Sequence, residues 1–432
     1  MLRIRLQLGL IHLAVAMTLV PINSTLNRVM IKELALSATL VALLASLPYL
    51  FSPIQVAIGG FADRHPLLGR HRTPYILLGL LLCVAGVILS PYAAFAMAES
   101  FWGGLALGLL AFGAWGMGYN LSAVSYLSLA SELSGEKGRS KTIAVMFFMM
   151  ITSIIGTAIA LSRMVDPYTP AALERAFWVV GLAALGLGLL GLLRLEPRHR
   201  ADTEGGEGRY TWGSMFRTVL GNRQAAYFFW YLIILLAALL GQDILLEPFG
   251  AEAFGMSVRE TTRITSIWGA CTLAALAAAG ALEGRVSKRR LAQVGGAGAL
   301  AGFILIVLSG VSHSTIVFYT GLVLLGAGTG LSTVSNLSLM LDMTAAGSIG
   351  LYIGAWGMAN AISRLLGSVL GGALRDTIAR AAGDPLAGYL VVFSLMALAL
   401  LVSLTMLRRI SVGDFRRQAE QMSVLDKAAL VD

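Results

Sequence analysis

The chain has 432 residues, of which 57% are apolar and only 13% charged, and its mean hydropathy is +0.78. A soluble domain carries about twice that charge to cover its surface, so a soluble globular or a disordered class is excluded. The net charge of +9 is therefore read against anionic lipid at a membrane face, not against nucleic acid.

Apolar runs of about twenty residues mark spanning helices, because a hydrocarbon core of roughly 30 Å needs that length. In chain order they are expected near 6–27, 37–59, 74–97, 101–131, 142–163 and 171–194, then near 225–246, 259–282, 290–311, 314–341, 349–373 and 386–407. The first run follows a basic start as a signal peptide would. It is too long for one, lacks a small-x-small cleavage pattern and leads straight into further spans, so it reads as a retained helix. Cys83 and Cys271 both fall inside expected spans, which leaves no disulfide framework and no thiol metal site. With the N-terminus inside, 23 of the 32 Lys and Arg lie in inner segments, and the positive-inside rule gives N-in and C-in.

The chain repeats itself. Residues 116–132 read GMGYNLSAVSYLSLASE and residues 326–342 read GAGTGLSTVSNLSLMLD. At an offset of 210, nine of these seventeen positions are identical, and Glu132 and Asp342 keep their charge. A weaker echo pairs Gly60 and Asp63 with Gly280 and Glu283. These features divide the chain into an N-terminal half (1–195), an inner connector (196–224), a C-terminal half (225–408) and an inner tail (409–432). Two parallel six-helix repeats joined by a long inner loop make an all-α membrane protein of twelve helices with the major facilitator fold.

The loop after the second span, GGFADRHPLLGRHR, resembles the major facilitator motif G-x-L-A-D-R-x-G-R-R, with three residues inserted before Gly69. There Gly59 would allow close helix packing, and Asp63 would pair with a helix N-terminus or an arginine. Arg64, Arg70 and Arg72 would reach phosphates or gate carboxylates. The alternative is a basic loop that only obeys the positive-inside rule. In the connector, Trp212, Met215, Phe216, Val219 and Leu220 follow helical spacing beside Arg209, Arg217 and Arg223. That pattern suits an in-plane helix on the inner surface, or else a disordered linker.

By fold analogy, the first and fourth helix of each half face a central cavity. They offer Asn23, Tyr119, Asn120, Ser122, Ser125 and Tyr126, with Ser332, Ser335 and Asn336 in the repeat. Small polar residues at such spacing also let helices approach closely in lipid, which for any one serine is the commoner use. Spans 1, 4 and 10 carry no acid near mid-membrane. Since a proton carrier must titrate inside the membrane, this argues against proton-driven export of sugars or drugs.

Three ionisable features stand out. Arg364 lies about fifteen residues into span 11, where it needs a carbonyl cluster, an acid or a ligand carboxylate. His12, in the inner half of span 1, could ligate the magnesium of a tetrapyrrole or simply bond between helices. At the outer end of span 7, Gln242, Asp243 and Glu247 bracket apolar residues before Pro248 and Gly250, which are expected to break the helix. Ser257 with Glu260 forms a capping box that starts the next helix.

The run QDILLEPFG at 242–250 closely resembles the Q-D-V-L-L-E-P-Y/F-G signature of the PucC family, the bacteriochlorophyll delivery branch of the major facilitators in phototrophic bacteria. PINSTLNRVMIKEL at 21–34, which contains Asn27 and Arg28, resembles the family's T-L-N-R-V-M-I-x-E-L. DRHPLLGRHRTPYI at 63–76 matches as well and accounts for the three-residue insertion. Short termini point toward the paralogue encoded beside bacteriochlorophyll synthase. The resemblance implies a non-enzymatic carrier in a bacterial inner or intracytoplasmic photosynthetic membrane. It implies bacteriochlorophyll as bound ligand in place of a resident cofactor, with light-harvesting antenna polypeptides and bacteriochlorophyll synthase as partners. The Met146-Phe147-Phe148-Met149-Met150 cluster would offer soft surface to a macrocycle or its tail, if it is not plain packing. The alternatives are a transporter of a small solute, and a scaffold that only binds the synthase or the antenna chains.

Overall fold

A computed structural model of the chain describes residues 2–54, 58, 61–62, 65–67, 69–197, 221–282, 285–343, 349–415 and 417. The helices are α1 (Leu2–Met17), α2 (Ala38–Ala45), α3 (Leu47–Leu50), α4 (Thr73–Glu99), α5 (Phe101–Met164), α6 (Pro170–Leu192) and α7 (Arg223–Gly241). There follow α8 (Leu246–Phe254), α9 (Val258–Ala281), α10 (Lys288–Ser312), α11 (Thr315–Asp342), α12 (Ile349–Ala382) and α13 (Pro385–Leu407). The described residues form no sheet; Leu67 and Arg70 make an isolated bridge.

Among the described residues, ten helical runs are long and apolar enough to cross a membrane. They coincide with ten of the expected spans, and the protein is a multi-pass membrane protein. The other two expectations fall on the segment α2–α3, interrupted at Ser46, and on α12. Spans 4 (Phe101–Gly135) and 5 (Lys141–Met164) share the label α5 but are two helical runs, parted at Gly135, whose backbone is not helical (φ 60°, ψ 173°). Only glycine accepts that backbone without strain.

Helix starts follow the sequence chemistry. Ser37, Thr169 and Ser287 each accept the backbone N–H three residues on, which satisfies an otherwise orphaned donor. The Ser257–Glu260 box forms as expected, with Glu260 Oε2 2.8 Å from the Ser257 N–H. The expected break at Pro248–Gly250 does not occur. The chain instead leaves the α-helix at Gln242–Ile244, a 3₁₀ turn, and restarts as α8 with Pro248 in its first turn. A proline there is tolerated because its missing N–H would have no partner anyway. Termination comes at Gly255, in the left-handed conformation (φ 64°).

The chain packs as two compact units, residues 1–203, 242–270 and 368–389 in the first and 204–241, 271–367 and 390–432 in the second. The core of the first gathers Leu8, Ile11, Ile76, Leu80, Met146 and Leu192 from α1, α4, α5 and α6. In the second, Phe303 of α10 stacks on Phe393 of α13 with centroids 6.0 Å apart. Within each unit the repeated residues make the same helix crossing. A Cβ on Gly79 would stand 2.4 Å from Ser122 Oγ and 2.7 Å from the Gly118 carbonyl. A Cβ on Gly295 would stand 2.7 Å from Ser332 Oγ and 2.9 Å from the Gly328 carbonyl. Lipid tails supply no hydrophobic drive between helices, so close backbone approach of this kind carries their association. Ser122 and Ser332 therefore sit at packing crossings.

Candidate functional site

After α1 the backbone widens. The N–H of Asn27 reaches the Ile22 carbonyl and the N–H of Leu34 the Val29 carbonyl, five residues back instead of four, so Pro21–Leu26 and Val29–Glu33 are π-helical. Such widening re-aims side chains and gathers at functional sites. Here it presents Ser24, Thr25 and Arg28 to the segment that follows α7.

The two signature runs meet there. Glu247 of α8 is 2% exposed. Its Oε1 accepts hydrogen bonds from the Ser24 hydroxyl and from Thr265 of α9 at 2.6 Å. Its Oε2 is buried and has no partner. Thr25 and Thr262 share a hydrogen bond of 3.0 Å. Arg28, 4% exposed, pairs with Glu33 and donates to the Met256 carbonyl at 3.1 Å. Lys32 meets Glu252 at 2.6 Å, and Arg259 pairs with Asp166. Gln242 donates to Asp243 at 2.8 Å while its own carbonyl oxygen stays buried and unbonded. Asn27 donates to the Asn23 carbonyl at 2.9 Å, and its Oδ1 is likewise an orphan. Glu247 lies between two spans, and burial pushes its carboxyl up to about 7 against the bonds from Ser24 and Thr265 and the charge of Arg28.

The other expected residues take separate places. His12 is 5% exposed, its ring 4.9 Å from Tyr126 and edge-on to Phe147 at 5.3 Å, with Nδ1 buried and unbonded. In the methionine-rich cluster, Met146 is buried while Phe147 and Phe148 are exposed. Asn120 donates to the carbonyls of Pro48 and Gly116, both at 2.8 Å, and so ties α5 to the interrupted segment. Tyr119 packs at the edge of the core of the first unit. Ser125 is buried with its hydroxyl unbonded, whereas Ser335 donates to the Leu331 carbonyl. Asn336 accepts from the Tyr231 hydroxyl at 2.8 Å, and Arg364 donates to Asn360 one turn earlier at 3.4 Å.

On the loop before α4, Arg72 donates through Nε to Glu132 at 2.9 Å, with Nη2 at 2.8 Å. In the second unit Lys288 holds both oxygens of Asp342 at 2.8 Å. Each acid that ends a repeated helix thus meets a cation beside the start of the preceding one. Gly69 takes a left-handed turn (φ 71°), and Arg70 exchanges backbone hydrogen bonds with Leu67. Gly59, Asp63 and Arg64 lie outside the described residues, as do Gly60, Glu283 and the connector residues 209–220. At the start of α4, Glu196 accepts the N–H groups of His71 (2.8 Å), Arg72 (3.1 Å) and Thr73 (2.6 Å). Burial raises its carboxyl, but these bonds prevail and hold it below the usual range.

Sequence reasoning did not single out Ser24, Thr262, Thr265, Glu252 or Glu196. Ser24 lay inside a quoted motif; nothing in local spacing marked the others. Among the described residues no group of three His, Cys, Asp or Glu side chains could hold a metal ion.

Helical architecture and internal repeat define a multi-pass membrane protein with the major facilitator fold. The solved inward-facing, unoccupied structure of a bacterial homologue of the human lysosomal transporter Spinster superposes with a TM-score of 0.72, covering 96% of this chain and 97% of that one. At 15% identity this likeness concerns the fold alone. The family model described as PUCC protein matches residues 25–415, and the chain belongs to that family. Protein PucC of Cereibacter sphaeroides is 33% identical over 428 residues, 94% of this chain and 92% of that protein. The bacteriochlorophyll synthase 44.5 kDa chain of Rhodobacter capsulatus is 28% identical over 414 residues, 93% of each.

Proposed function

We propose that the protein is a non-enzymatic carrier that receives bacteriochlorophyll and passes it to light-harvesting antenna polypeptides in the inner or photosynthetic membrane of a phototrophic bacterium, with both termini inside. The observation that carries this reading is the match to the PUCC family over nearly the whole chain. A relative named as a bacteriochlorophyll synthase chain supports the synthase as a partner and the paralogue encoded beside it as the branch. The site chemistry is compatible. His12 offers an imidazole among aromatic rings, and a neutral imidazole is a ligand that a magnesium tetrapyrrole accepts.

Deleting the gene in its phototrophic host tests the reading. Antenna absorption is expected to fall while free pigment continues to be made, and the wild-type gene restores it. Normal antenna assembly in the deletion strain contradicts it. The second reading, a solute transporter, draws on the fold shared with solved transporters and expects gradient-dependent flux in proteoliposomes.

A further inference from the structure

The joint between the two signature runs holds an imbalance that pigment carriage does not use. Three side-chain oxygens there are acceptors without donors: Glu247 Oε2, Asn27 Oδ1 and Gln242 Oε1. All three residues are at least nine-tenths buried. Neither amide can be reversed to cure this. The amide nitrogen of Asn27 is committed to the Asn23 carbonyl and that of Gln242 to the Asp243 carboxylate, so a flip would set oxygen against oxygen. Two guanidinium nitrogens, Arg28 Nε and Arg259 Nε, are unbonded donors, each on an arginine already paired with an acid.

Charge shows the same imbalance. Around Glu247 the charged groups fall into pairs: Arg28 with Glu33, Lys32 with Glu252, and Arg259 with Asp166. On α9, Glu260 is held by Ser257 and lies within the field of Arg263. Asp243 takes the Gln242 amide, and Tyr168 lies within the fields of Glu33 and Arg28. Glu247 has hydroxyl partners and no ion pair of its own within salt-bridge reach among the described residues. An ionised carboxylate buried without a counter-charge is costly, so such a site takes up positive charge or stays neutral.

We propose that the buried Glu247 carboxylate, with the hydroxyls of Ser24 and Thr265 beside it, forms an occluded site for one hard monovalent cation, either a proton on Oε2 or a sodium ion, and that the orphaned amide carbonyls on the same two runs, of Asn27 and Gln242, add to its oxygen-rich surroundings. Oxygen donors without sulfur or imidazole are what a hard cation prefers. The hydrogen bonds to Oε1 join the end of the first span to α8 and α9. Occupancy of the other oxygen therefore sets how firmly that joint holds.

The test uses the purified full-length protein in detergent, with thermal unfolding followed across pH in choline chloride and in sodium chloride at equal ionic strength. The wild type is expected to lose thermal stability as pH rises through about 7 in choline. If sodium at high pH restores it, the cation is sodium; if sodium does nothing, it is the proton. Glu247→Gln is expected to abolish both responses. The double substitution Ser24→Ala with Thr265→Ala removes the donors that favour the charged form and is expected to move the transition to higher pH. A Glu247→Gln protein that keeps the wild-type pH and sodium responses overturns the proposal, as does a double variant with an unmoved transition. The readout needs no pigment, so its failure is separate from failure of the carrier reading.

Discussion

Glu196 and Glu247 are both carboxylates withdrawn from solvent in the first unit, and they are treated in opposite ways. Glu196 opens the connector after the first half and turns back onto the start of α4, where three backbone N–H groups converge on it. Asp376 does the same at α2, accepting the N–H groups of Ala38 at 3.1 Å and Thr39 at 2.8 Å. Glu247 faces hydroxyls only, and one of its oxygens bonds to nothing. A carboxylate on which backbone N–H groups converge is matched in charge and donors, and it serves the fold; Glu247 also lies in the first turn of a helix, α8, but takes only two hydroxyls. One left half-satisfied in a buried, π-widened corner departs from that rule, as functional positions do.

The contrast can be broken by substitution. Glu196→Ala orphans a set of helix N-terminal donors and is expected to cost about 3 kcal/mol, read as a lower unfolding midpoint in detergent. Glu196→Gln keeps an acceptor without its charge and should lose roughly half of that. Because Glu196 is held below the usual carboxylate range, its contribution is complete above that range, declines as pH falls through it and is gone only once pH passes the lowered value beneath it. The wild type should therefore lose more stability in acid than Glu196→Ala does. Glu247→Gln is expected to shift stability by less than about 1 kcal/mol near neutral pH, since Ser24 and Thr265 can still donate to an amide oxygen. The pH dependence that Glu247 gives the wild type runs the other way, because the raised carboxyl favours the folded state at low pH and loses that advantage as pH climbs toward about 7. Equal effects of the Glu196 and Glu247 substitutions would dissolve the distinction.

The spans, their order and the duplication were legible because hydropathy and helix crossings are local or repeat at fixed spacing. Gly118 and Gly328 were visible as repeated letters before their packing against α4 and α10 was known. The two signature runs were legible as strings, and Glu247 and Arg28 among their residues. Their meeting was not, because Ser24 and Glu247 lie 223 positions apart and no periodicity links them. Pro248 misled for a physical reason: proline breaks a helix interior but starts a helix well. Glu196 passed unnoticed because a lone acid after a span looks like any solvated charge, and only the fold shows what it caps.

The central claim, that this frame carries bacteriochlorophyll, is met most directly by the pigment-to-protein ratio. The full-length chain would be purified from a phototrophic host in mild detergent and its absorption spectrum recorded. The account predicts bacteriochlorophyll in fixed stoichiometry, reduced when His12 is replaced by leucine. A well-folded, pigment-free protein would contradict it.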